Sequence, residues 1–333
     1  MSKNNIEIQK RLFEEIQKNL PAGHGLVEEI SDVLNVSSQW AYRRIRCETQ
    51  LGIEEICTLC KHFNISFDML MGVKNINQLD CIYRPLTLSV PYPDEYYNYM
   101  LSLSKNFERL RNANDSNILM SAVDIPLFHL LSNKELTFFK LYVWSHSVYN
   151  YEGSFDNFMK EIETPEIIRC HQKICNDYEF IPSSEIWTEK TIDTILSTIN
   201  YYIETYKFSN KDLPLTLCKQ ILDILDKLQK WAENGAKGDN KTLFQFYLSE
   251  INFENSYIIL KQPELSKCIV KLFTMNSLNV LDKDFCKETE NRLKKLSKQA
   301  ILLYGNAEKE RIKFFNSQRQ KVQLLMEKIK KSF

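Results

Sequence analysis

Glycine is scarce. Only eight occur in 333 residues, and none stands in a GxxxxGK[ST] or GxGxxG run, which argues against a phosphate-cradling loop. Histidine is rarer still, with five, and neither HExxH nor GxSxG occurs, so no familiar metalloprotease or hydrolase motif is present. Net charge is absent as well: 43 basic side chains balance 43 acidic ones, and no overall excess advertises a polyanionic partner. No apolar run is long enough to cross a bilayer, and the opening MSKNNIEIQK lacks the apolar core of a signal peptide. The expectation is a cytoplasmic protein without a membrane partner. Nine cysteines, scattered and odd in number, are expected as reduced thiols. Nothing here calls for a catalytic residue, a cofactor or a metal, and the chain reads as a non-enzyme.

What the chain does have is apolar content of 44%, enough for a substantial core and two domains. The most patterned stretch is Gly25–Asn64, GLVEEISDVLNVSSQWAYRRIRCETQLGIEEICTLCKHFN. Val27, Ile30, Val33 and Leu34 share one helical face. Asn35 tolerates a left-handed backbone, Val36 re-enters the core, and Ser37 is suited to cap the next helix. In that helix Ala41 and Ile45 are expected to point inward. After Gly52, the residues Ile53, Ile56, Cys57, Cys60 and Phe63 are read as the inner face of a further helix. Cys57-x-x-Cys60 with His62 has the look of a zinc or redox pair, but no second CxxC follows at the required spacing, so buried thiols are expected. A helix over 4–19 precedes this stretch, and Ser66 caps a short one after it.

Two adjacent helices joined by a tight turn form the unit that places its second helix in the major groove of DNA. The outer residues of that second helix suit the task. Gln39 can pair with adenine and Arg43 with guanine; Tyr42 and Arg46 flank them; Ser37 and Ser38 suit phosphates or base edges. Residues 1–72 nevertheless hold eight basic and ten acidic side chains, so placement rather than total charge must carry any attraction to DNA. Leu26–Asn35, Ser37–Glu48 with AYRRIR at its centre, Ile53–Phe63 and Ile65–Leu70 together resemble the Cro/repressor-like (XRE-type) helix-turn-helix domains, and more closely the BetR-like bacterial regulators. The resemblance covers about the first 72 residues and implies double-stranded DNA as the partner. Arg44 stands where such domains carry an apolar residue and Ile45 takes its place, so Arg44 joins the candidate DNA contacts.

Residues 73–93 read as a linker, with Pro85, Pro91 and Pro93 clustered where periodicity lapses. In 94–112 the spacing of Tyr96, Met100, Leu103, Phe107 and Leu110 forms a short heptad seam, which fits either a dimer contact or packing on its own domain. A strand is expected at 118–123. Helices follow at 125–131, 136–149, 155–161, 165–178, 188–207 and 212–233, the last closed by Gly235 and Gly238. Cys170, His171 and Cys175 make a loose cluster, at best a two-ligand metal site. Short β-favouring runs at 243–251, 257–260 and 268–273 follow, with FENS as a hairpin turn between the first two. Helices at 283–303 and 314–333 end the chain, and LLYGNAEKERIKFFN resembles the end of the C-terminal region of large BetR-like regulators. Residues 287–333 carry 13 basic and five acidic side chains, available either to DNA or to the acidic middle of the chain.

The expected fold class is mainly α, α+β overall. A five-helix repressor-like domain (1–72) precedes a larger, mostly helical domain (94–333) with a small antiparallel sheet, which dimerises and takes a small-molecule or protein effector. The expected function is a sequence-specific transcription regulator acting as a homodimer. The alternative is a defence-type or interaction protein that the helix-turn-helix tethers to DNA or a partner, with the C-terminal region as effector.

Overall fold

In a computed structural model, the described residues are 3–20, 25–63, 65–71, 79, 81–83, 86, 93–208, 211–239, 241–263, 266–272 and 275–332. The chain divides into two compact units, Met1–Asp80 and Cys81–Phe333.

The first unit is helical: α1 (Lys3–Asn19), α2 (Leu26–Leu34), α3 (Ser38–Ile45), α4 (Ile53–His62) and α5 (Phe67–Met71). Its core gathers Leu12, Phe13 and Ile16 of α1 with Ile30, Ala41, Leu59 and Leu70, the apolar positions that recur at three and four residues. Both short helices end in the same way. Asn35, at φ 52°, and Cys47, at φ 57°, are left-handed. The N–H groups of Val36 and Glu48 then return to the carbonyls of Ser31 and Arg43 at 3.0 and 2.9 Å, a Schellman closure that satisfies the last free carbonyls. One reading of α4 needs correction. Ile56, Leu59, Cys60 and Phe63 form its packed stripe, whereas Ile53 is 73% exposed and Cys57 also faces solvent. Spacings of 3, 1 and 3 fill one helical face, and 53 and 57 fall outside it.

The second unit is built on a mixed sheet. Its elements are β1 (Cys81–Tyr83), α6 (Pro93–Asn112), β2 (Asn117–Ser121), α7 (Leu127–Leu130), α8 (Lys134–Tyr149), α9 (Phe155–Ile162), α10 (Pro165–Glu179), β3 (Ser183–Trp187), α11 (Asp193–Glu204) and α12 (Asp212–Asn234). They continue with β4 (Ala236–Lys237), β5 (Thr242–Leu248), β6 (Tyr257–Lys261), β7 (Ser266–Lys271), β8 (Ser277–Val280), α13 (Lys283–Gln299), β9 (Ile301–Leu302) and α14 (Glu308–Ser332). The strands run in the order β1-β8-β7-β6-β2-β3-β5-β4, with β9 on β5. The pairs β2–β3 and β3–β5 are parallel, each joined by a helical crossover, and β6, β7, β8 and β1 extend the sheet antiparallel from β2. Alternate residues serve the two faces. Ile118, Met120, Trp187, Phe244 and Phe246 enter the large helical core, while Leu119, Ile186, Ile259 and Cys268 pack with Cys286 and Leu293 of α13.

The α+β class therefore holds, but the sheet is a nine-stranded mixed one rather than small and antiparallel. FENS is no hairpin turn: β5 pairs with β3, β6 with β2 and β7, so the chain crosses the sheet between them. Residues 73–93 are not all linker either, because β1 pairs with β8 and Leu86 is buried; Pro85 and Pro91 lie outside the described residues. The seam of α6 is spent inside the unit, with Tyr96, Met100, Phe107 and Leu110 in the large core, and so is the α14 stripe of Phe315, Val322, Leu325 and Ile329. Neither stripe is left for a partner copy. The basic C-terminal helix docks on acidic neighbours: Arg319 on Asp226 at 2.7 Å, Lys321 on Asp193 at 2.8 Å, Lys328 on Glu204 at 2.6 Å. Among the described residues no helix is long and apolar enough to cross a membrane.

Candidate nucleic-acid interface

Three residues, Asn35, Val36 and Ser37, separate α2 from α3. Ser37 has extended backbone and its Oγ accepts from the N–H of Trp40 at 3.3 Å, which starts α3 at a fixed point. Ala41 is fully buried, and Trp40 and Ile45 pack against the same core. With that side anchored, Ser37, Ser38, Gln39, Tyr42, Arg43 and Arg46 are all exposed. The Arg46 guanidinium lies 5.4 Å from the Tyr42 ring centroid and reaches its hydroxyl at 3.5 Å, an arrangement that extends the arginine along the helix surface.

Arg44 does not belong with them. Its side chain is 18% exposed, its guanidinium lies 4.4 Å from the Trp40 ring centroid, and Glu55 of α4 is 3.7 Å away. The three-residue step from Ala41 keeps Arg44 on the packed side, where its stem covers apolar surface. Glu55 itself accepts from the Gly52 N–H at the start of α4.

Two residues with a part in this face were not picked out in the sequence. Glu48 lies 3.9 Å from Arg43 and 3.8 Å from Arg46. Such exposed pairs contribute only about 0.2–1 kcal/mol, so a phosphate can displace the carboxylate. Gln9, 5% exposed on α1, donates to the carbonyls of Arg44 (2.7 Å) and Thr49 (2.9 Å) and accepts from the Leu51 N–H (2.9 Å). It pins the end of α3 and the following loop to α1. A lone glutamine within an apolar stripe is the only sequence signal for it.

The second unit holds its ionisable residues differently. His171, read with Cys170 and Cys175 as a loose cluster, is buried and bonds Tyr96 Oη through Nε2 at 2.9 Å. Burial pushes its pKa down to about 4, so the neutral ring accepts from the tyrosine. Cys175 turns away to donate to the Phe128 carbonyl at 3.5 Å. Among the described residues no three His, Cys, Asp or Glu side chains are grouped to hold a metal ion. On β3, Glu185 is fully buried and accepts from His129 Nε2 (2.9 Å), Trp187 Nε1 (2.9 Å) and the Tyr178 hydroxyl. Burial pushes its carboxyl upward, but the adjacent His129 and the three donors outweigh this and hold it below the usual range.

Comparison with protein-family models, with curated proteins and with solved structures finds no match to this chain.

Proposed function

We propose that the first unit reads double-stranded DNA as a repressor-type helix-turn-helix domain, with α3 as the recognition helix, and that the chain is a sequence-specific transcription regulator. The observation that carries this reading is the single exposed face of Gln39, Tyr42, Arg43 and Arg46 on a helix whose opposite side is anchored by Ala41. Gln39 and Arg43 are assigned to base edges, Arg46 with Ser37 and Ser38 to phosphates, and Arg44 to the packing of the domain. One such domain spans a half-site, so two copies are required for an operator. Their contact is assigned to surface other than the buried α6 and α14 stripes.

Fluorescence anisotropy on a selected site tests the assignments. Arg43→Ala is expected to cost about 1–3 kcal/mol and to relax preference at one base pair per half-site. Arg46→Ala should weaken all sequences alike and lower the salt slope by about one. Both residues are exposed, so both variants should melt like the parent. Selective binding unchanged in both would overturn the reading.

A further inference from the structure

The loop that leaves α3 is held from two directions. Cys47 is left-handed, and the N–H groups of Cys47 and Glu48 return to the carbonyls of Arg44 and Arg43, each at 2.9 Å. From α1 the buried Gln9 grips the same loop, donating to the Arg44 carbonyl before Glu48 and to the Thr49 carbonyl after it. The backbone that carries Glu48 is therefore tied on both sides, and its side chain starts from one fixed place.

The Glu48 carboxylate is divided between two arginines of α3. Its Oε2 lies 3.9 Å from Arg43 Nε, and its Oε1 lies 3.8 Å from Arg46 Nη1. At the C-terminal end of α3 a negative charge meets the negative end of the helix dipole, so helix stability does not favour it there. Its effect falls on the arginines. A guanidinium reads guanine through two parallel N–H groups, directed at O6 and N7. Because the carboxylate approaches Arg43 at Nε, both terminal nitrogens stay free for that fork while the planar group is steadied along its other edge. In a groove that excludes water the same pair becomes stronger. Arg46 is used differently, since its exposed pair gives way to a phosphate.

We propose that Glu48 is a positioning residue for base recognition: it braces the Arg43 guanidinium along its Nε edge and turns the terminal nitrogens to a guanine. This inference rests on the DNA reading of α3, and it predicts a loss where charge alone predicts a gain. Removing a carboxylate beside DNA strengthens binding to any sequence. Removing a brace weakens binding to the site whose guanine Arg43 reads.

Fluorescence anisotropy on the full chain compares three duplexes of equal length: the selected site, that site with the base pair read by Arg43 exchanged, and a scrambled sequence. Glu48→Gln keeps the shape of an exposed side chain and should melt like the parent. It should bind the selected site about fivefold more weakly and the scrambled duplex at least as tightly as the parent does. On the exchanged site, and in an Arg43→Ala background, that loss should disappear, a coupling that a merely structural role would not show. Glu48→Gln binding unchanged on the selected site, or tighter on all three duplexes alike, would make Glu48 no more than a surface charge. A loss that persists in Arg43→Ala would place its effect elsewhere. Either result overturns this inference and leaves the DNA reading standing, whereas a parent chain with equal affinity for all three duplexes would overturn both.

Discussion

At Arg44 the residue type and the residue's place point in opposite directions. A third arginine in AYRRIR suggests a phosphate contact, yet the side chain lies against Trp40 and Glu55, and its Nε is buried without a hydrogen-bond partner. Leaving that group unpaired costs about 1–3 kcal/mol, against about 0.5–1 kcal/mol for a partly exposed cation–π contact. Arg44→Leu should therefore melt at or above the parent temperature in calorimetry and keep specific DNA affinity within about twofold; lost binding with unchanged stability would make Arg44 a DNA contact. His171 sets a second test. Its pKa falls from an ordinary 6.5 to about 4 on folding, so between those values the unfolded chain holds the extra proton and stability declines as pH falls. The decline should level off below about pH 4 and amount to about 3 kcal/mol. In urea titrations His171→Gln, which does not titrate, should lose correspondingly less stability than the parent between pH 6.5 and 4. Equal acid sensitivity would place the proton elsewhere.

Among the elements, β3 depends on partners distant in sequence. SSEIW holds two serines and a glutamate, and no local pattern marks it as the middle of a sheet. Glu185 is tolerated there because His129 on α7, Tyr178 on α10 and Trp187 all donate to it. Glu185→Ala should cost about 3–5 kcal/mol in equilibrium unfolding, since it strands three buried donors; a loss below about 1 kcal/mol would show that water replaces the carboxylate. The same contrast sets what could be read from the sequence. In the first unit Asn35 and Ser37 act on their own backbone, and the stripes of α1 and α2 complete a small local core, so those helices were legible residue by residue. The strands β2 and β5 were expected, but β3 and the parallel pairing were not, because that pairing joins residues about 60 apart, and a β5–β6 hairpin was the wrong expectation for that reason. The stripe of α6 was seen, but a stripe alone does not say whether its cover is another helix or another molecule. Of the candidate contact residues, six are exposed as expected, and Arg44 is half-buried, because one step of three residues from Ala41 sets its side of the helix.

For the whole molecule, electrostatics sets how the proposed DNA reading works. The first 72 residues carry two more acidic than basic side chains, and Arg319, Lys321 and Lys328 of α14 are engaged with α11 and α12. Non-specific attraction to phosphates is then weak, and discrimination has to come from the face of α3. Pull-down of fragmented genomic DNA with the purified full chain, sequenced and repeated with Arg43→Ala, tests this most directly. The account predicts a few discrete fragments sharing a short inverted repeat, recovered by the parent and lost in the variant. Recovery that follows fragment length alone, or a fragment set that Arg43→Ala leaves unchanged, would contradict it.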